Sequence, residues 1–160
     1  MRNTIVGIDP GKSGGVAWRI HDGCVSSVKM PETLHDTAEL LRSIDFTSCE
    51  DTIVYLEKVG FHVKGNNASA SVKFARHCGE LRGILAALQM PFREVTPVVW
   101  QRAMGALPKD KGDRKRAIKA RMQCLYPMQG VTLATADALA ILDYAVKNEA
   151  LAIGAGTGGA

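Results

Sequence analysis

The sequence predicts an α/β domain built on a mixed five-stranded sheet flanked by helices. Three observations carry this expectation. Three short apolar runs follow one another near the start and are joined by tight turns, the pattern of a meander. Two later apolar runs, Thr52 to Glu57 and Pro91 to Val95, are set apart by stretches of helical periodicity, the pattern of strand–helix crossovers. A length of 160 residues with 46% hydrophobic content suits a single domain with a sizeable core.

The first strand covers Thr4 to Ile8, rich in β-branched residues, and runs into the turn signal Asp9-Pro10-Gly11. Gly14 to Ile20 is the second strand, Asp22-Gly23 a hairpin turn, and Cys24 to Met30 the third strand. Pro31-Glu32-Thr33 opens an amphipathic helix through Leu34, Leu40, Leu41 and Ile44. The strand Thr52 to Glu57 finishes on an acid. A polar loop through Gly65-Asn66-Asn67 leads to a long helix, Ala68 to Leu88. After the fifth strand, Pro97 begins a short helix carrying Trp100, which reads as a packed residue. Asp113 to Leu125 is a basic helix closed by Pro127, and Thr135 to Val146 is a helix with small residues on its packing side. Residues 1–150 form one domain; residues 151–160, glycine-rich at their end, have the composition of a flexible tail.

The net charge is only +4, but it is unevenly spread. Lys109, Lys111, Arg114, Lys115, Arg116, Lys119 and Arg121 face only Asp110 and Asp113 within one short stretch. Lys58, Lys64, Lys73, Arg76 and Arg82 form a second basic stretch, with His62 and His77 nearby. Segregated charge suits a polyanion such as nucleic acid, and equally a solvated helix face. Cys24, Cys49, Cys78 and Cys124 make no zinc spacing. The absence of a leader-like or membrane-spanning run makes a cytoplasmic setting the expectation.

Three acids sit where strand and helix ends can bring them together. Asp9 closes the first strand, Glu57 the fourth, and Asp137 lies in the first turn of the last helix. If the first and fourth strands are parallel neighbours, Asp9 and Glu57 leave the sheet at the same carboxyl edge, where sites form in open α/β sheets. Clusters of carboxylates bind magnesium or manganese, and two such ions can hydrolyse a phosphodiester. Each acid also has a simpler reading. Asp9 is a turn residue before Pro10-Gly11, and Asp137 charges a helix start. Glu57 fits the simpler reading least, because an acid ending an apolar strand is costly unless paired.

The wording around these acids resembles the RuvC-type Holliday junction resolvases. Gly7-Ile8-Asp9-Pro10-Gly11 with Gly14-Gly15-Val16-Ala17 resembles their opening. Leu56-Glu57-Lys58-Val59, the segment Gly79-Glu80-Leu81-Arg82-Gly83, and Ala136-Asp137-Ala138-Leu139-Ala140-Ile141 follow in the same order. The resemblance covers Thr4 to Val146. It implies an RNase H-like fold and a homodimeric DNA endonuclease that resolves branched DNA in recombination, and phage members also debranch DNA. It further implies Asp9, Glu57 and Asp137 as ligands of two magnesium or manganese ions, with Lys111 contributing to catalysis. By the same resemblance an aromatic after Glu57 stacks on junction bases, here Phe61, one place along because Gly60 intervenes, and the helix from Ala68 forms the dimer; core burial is the other reading of Phe61 and of that helix's apolar positions. Lys58, Lys64, Lys73, Arg76, Arg114 and Lys115 are candidate phosphate contacts.

One position departs from the family pattern. A fourth acid or a histidine is expected about one turn before Asp137, where Ala134 stands between Leu133 and Thr135. Asp143 lies about 120° around the helix and does not substitute. Two other readings stand beside the resolvase: a junction-binding form that does not cut, because Ala134 leaves the metal site incomplete, and a different RNase H-like nuclease of the RNA-processing YqgF-like kind, which would share the Asp9 region.

Overall fold

The computed structural model describes residues 4–20, 23–44, 52–58, 60 and 68–156. Five strands, β1 (Thr4–Asp9), β2 (Gly15–Arg19), β3 (Val25–Lys29), β4 (Thr52–Glu57) and β5 (Phe92–Val95), form one sheet in the order β3-β2-β1-β4-β5. The meander β1-β2-β3 is antiparallel, whereas β1 pairs with β4, and β4 with β5, in parallel. Among the described residues, five α-helices flank it: α1 (Leu34–Ile44), α2 (Ala68–Ala87), α3 (Pro97–Ala103), α4 (Lys111–Leu125) and α5 (Ala136–Gly156).

The alternation of side chains along each strand divides the core in two. Val6, Ile8, Val16, Val54 and Leu56 face α1 and α2, meeting Leu41, Ile44, Leu81 and Leu85. Ile5, Ala17, Ile53, Tyr55 and Val95 face the opposite way, toward Trp100 of α3, Ile118 and Met122 of α4, and α5. Asp9 and Glu57 share the odd-numbered parity of this second set, so they stand on the α3–α5 side.

Side-chain caps place the helix starts. Thr33 Oγ1 accepts the Asp36 amide at 3.0 Å and donates to Asp36 Oδ2 at 2.7 Å, which fixes the entry to α1. At α4 the cap is Asp110, whose Oδ1 accepts the Asp113 amide at 2.9 Å, so the helix begins earlier than the expected Asp113. Thr132 and Thr135 cap each other before α5: each amide donates to the other's hydroxyl, at 3.0 and 3.2 Å. Helix α5 continues to Gly156, so residues 151–156, expected in a tail, are helical, and residues 157–160 lie outside the described residues.

Helix α5 lies against β1 with almost no space between them. A methyl group placed on Gly7 would stand 2.6 Å from the Leu142 nitrogen and 2.7 Å from the Ala138 carbonyl oxygen. Ala136, Ala138, Ala140 and Ala145 are all buried on this helix, small enough to let its backbone approach the sheet. Tyr55 ties its far end down. The phenol donates to Glu149 Oε1 at 2.9 Å and accepts from Asn148 Nδ2 at 2.7 Å and Arg93 Nη1 at 3.1 Å.

Helix α2 is held less evenly. Leu81 and Leu85 are fully buried, with Ile84 and Leu88 packed beside them, whereas Val72 is 67% exposed. Gly7→Ala is expected to destabilise the fold by about 1–3 kcal/mol, because backbone atoms of α5 must move to admit the methyl group. Gly79→Ala on α2, where the new methyl meets nothing within 4 Å, should be neutral or stabilise by up to about 1 kcal/mol. Thermal melting of the two variants checks the contrast.

Candidate metal and phosphate site

The parallel pairing of β1 with β4 brings the acids together. Ile8 pairs with Leu56, and the next step along each strand carries Asp9 and Glu57 to the same edge. The cap at Thr132–Thr135 and the close packing on Gly7 bring the start of α5, with Asp137, over that edge. The three carboxyls line one cleft of ≈ 320 Å³ together with Ser13, Lys111, Arg114 and Lys115. Gly11 turns the chain away from Asp9 with φ +104, a backbone conformation that glycine adopts without strain.

Three carboxyls in a confined, partly dry space resist ionisation. Burial is the main cause at Asp9, reinforced by the charges of Glu57 and Asp137, and the group is pushed up to about 8 from its ordinary 3.8. Asp9 holds its proton against Glu57 and donates a hydrogen bond to it. Glu57 is raised by burial as well, with Asp137 adding to the effect and hydrogen bonds from Trp100 and Asp9 opposing it. Burial also raises Asp137, while Lys115 and Arg114 pull it back. Lys115 offsets part of the negative charge at all three acids.

A cluster of carboxylate oxygens is the donor chemistry that magnesium and manganese prefer. Among the described residues, no three His, Cys, Asp or Glu side chains stand close enough to clasp an ion as they are arranged. The proton between Asp9 and Glu57 occupies the place where a positive charge is needed. Three carboxyls lining one cleft are nevertheless a donor set that fits a divalent cation.

Sequence reading identified Trp100 only as a packed residue. It is fully buried, and its indole Nε1 also donates to Glu57 Oε1 at 2.8 Å. A buried tryptophan N–H nearly always finds an acceptor, and an acid ending the neighbouring strand was the available signal. Gln101 and Phe74 also border the cleft without having been singled out.

The other expected positions separate into groups. Lys111, Arg114 and Lys115 join the acids, and Arg114 Nη1 donates to the Lys109 carbonyl at 3.0 Å, which steadies its guanidinium at the rim. Lys73 and Arg76 line a neighbouring groove instead. Lys58 is exposed and pairs with Glu94 at 3.4 Å, an acid it shares with Arg82. Ala134 sits half-buried in the turn before α5, three residues ahead of Asp137, and supplies no oxygen from its side chain. Phe61 and Lys64 lie outside the described residues.

The sheet order, the mixed pairing and the acid-bearing edge define an RNase H-like fold. Two solved structures share it: "T. thermophilus RuvC in complex with Holliday junction substrate", at 17% identity and TM-score 0.55, and "Thermus thermophilus RuvC structure", at 18% and 0.56. Each comparison covers 93% of this chain and 96% of the other. At these identities the likeness is one of fold. No protein-family model matches the sequence, and no curated protein does.

Two outcomes follow from this geometry. Between pH 4 and 8 the folded protein holds a proton on Asp9 that the unfolded chain has released, so without divalent cations stability should fall as pH rises through that window. Asp9→Asn removes the titrating group; its melting temperature should exceed the parent's at pH 8 and approach it at pH 4. Trp100→Phe leaves Glu57 Oε1 without its donor and should cost about 1–3 kcal/mol in chemical denaturation.

Proposed function

We propose that this chain is a structure-selective DNA endonuclease that resolves four-way or branched junctions by divalent-cation-dependent phosphodiester hydrolysis. The observation that carries this reading is the cleft in which Asp9, Glu57 and Asp137 face Lys111, Arg114 and Lys115. Acids alone would repel a phosphodiester, and cations alone would bind it without chemistry. Acids and cations lining one cleft suit a metal-assisted cut of a polyanion. A solved structure of the same fold carries a Holliday junction substrate, which supports branched DNA as the polyanion.

Asp9, Glu57 and Asp137 would hold the ions, magnesium or manganese, two to a site. Bound there, such ions supply an activated water and stabilise the leaving oxygen. Trp100 orients Glu57 toward the cleft. Lys115, inside the cleft and coupled to all three acids, meets the scissile phosphate, and Lys111 and Arg114 at the rim neutralise the charge that develops on it. Lys58, Lys64, Lys73 and Arg76 serve as outlying phosphate contacts, with Phe61 stacking on a junction base. Two copies related by a twofold axis would match a twofold-symmetric junction and give paired nicks, which suits a role in DNA recombination and repair.

The test is cleavage of synthetic four-way junctions in magnesium and in manganese, with linear duplex and structured RNA as controls. Paired nicks near the crossover are expected, absent from both controls and lost in Asp9→Asn. Ala134→Asp adds a fourth carboxylate and should raise the rate at limiting metal. Binding without nicks, restored by Ala134→Asp, would identify a disabled junction binder. Cutting of RNA in preference to the junction would point to a nuclease of the RNA-processing kind. A chain that neither binds nor cuts the junction would overturn the proposal.

A further inference from the structure

A second hollow, of ≈ 680 Å³, adjoins the acid cleft between the β1–β2 turn, the start of α1 and the first half of α2. This volume lies within the range of about 300–1,000 Å³ typical of pockets that enclose small organic ligands. Met30, Pro31, Leu34 and the ring of Phe74 give it apolar walls, and Lys12, Lys73 and Arg76 bring positive charge to it against the acids Glu32 and Glu80. Phe74 borders both this groove and the acid cleft. Its ring packs so closely on the β1–β2 turn that a methyl on Gly11 would stand 3.3 Å from Cε2.

Two further features point to a polar, planar occupant. His77 lines the groove, and its Nε2 is buried without a hydrogen-bond partner. Buried polar atoms are nearly always partnered, so this nitrogen is a hydrogen-bonding position that the fold itself leaves unmet. Arg76 is engaged by Glu80 at 2.7 Å, whereas Lys12 and Lys73 make no ion pair among the described residues. The groove thus combines an aromatic face, an unfilled hydrogen-bonding position and two uncommitted cations, next to a cleft suited to a phosphodiester.

We propose that this groove takes up one unstacked nucleotide of the strand that runs through the acid cleft, its base on Phe74 and His77 and its phosphate against Lys12 and Lys73. The inference rests on the reading of the chain as a junction nuclease and adds a determinant of selectivity to it. Nucleotides at a branch point are unpaired at little cost, whereas those of an intact duplex must first be unstacked. A site that needs one extruded base therefore favours junctions over linear DNA without reading sequence.

The experiment pairs variants of the protein with lesions in the DNA. Four-way junctions carrying a single abasic site, moved one nucleotide at a time past the crossover, are titrated by fluorescence anisotropy without divalent cations. With the parent chain, a lesion at the position that meets Phe74 should weaken binding about 5–150-fold, the span expected for one base stacked on an aromatic ring, separately from any position that answers to Phe61. Phe74→Leu should bind the intact junction as weakly as the parent binds that abasic one, and the lesion should then cost nothing more. Phe74→Tyr keeps the ring and should retain parental affinity, which separates loss of stacking from loss of folding. Unchanged affinity in Phe74→Leu, or a parent indifferent to every abasic position, overturns the inference while junction cutting still upholds the nuclease reading. A parent that prefers no junction over duplex overturns both.

Discussion

The contact between α5 and β1 at Gly7 is the constraint on which the rest of the arrangement depends. The helix backbone rests on the strand backbone at a distance that excludes even a methyl group. Because the contact is backbone to backbone, it sets the height and register of α5 over the sheet, and with them the position of Asp137. The buried alanines of α5 extend this approach along the strand. Trp100, Ile118 and Met122 then close the same face, placing α3 and α4 around the acids. The site is thus an outcome of packing across the whole α3–α5 layer, and no single loop builds it.

Electrostatics opposes this packing. Parallel strands carry Asp9 and Glu57 out side by side, and the helix adds a third carboxyl where water is scarce. The protein offsets part of the repulsion with Lys115 and with the Trp100 donor, and it retains a proton for the remainder. Such a centre is poorly matched to its own contents and well matched to a compact positive charge. Stability and binding draw here on the same few groups in opposite directions.

Much of this was legible in the sequence, for identifiable reasons. Apolar runs and turn residues marked the strands, and acids ending two of them placed Asp9 and Glu57 at one edge once those strands were taken as parallel. The basic stretch near Lys111 announced a helix whose Arg114 and Lys115 turn to the acids. Other features depend on distances that a one-dimensional pattern does not carry. Trp100 and Glu57 lie 43 residues apart, and their bond exists only through the packing of α3 on β4. The groove beside Phe74 is made by segments that meet only in three dimensions. Helix α4 starts before the expected Asp113 because the Asp110 side chain takes the Asp113 amide, a bond that only the geometry shows. At the end of α5, glycine suggested a break, yet Ala150-Leu151-Ala152-Ile153 are mostly good helix formers that carry the helix past it.

Helix α2 is anchored at one end only. Cys78, Leu81 and Leu85 fix its second half in the core, whereas few side chains of its first three turns are buried. Local opening free energies follow buried apolar contact, so such a helix frays from its first residue inward while its remainder unfolds only with the domain. Amide exchange along α2 would then form a gradient, fast near Ala68 and slow beyond Cys78, with Phe74 inside the labile part. The wall shared by cleft and groove stands on the less firmly anchored half of α2, so it can shift without disturbing the sheet beneath it.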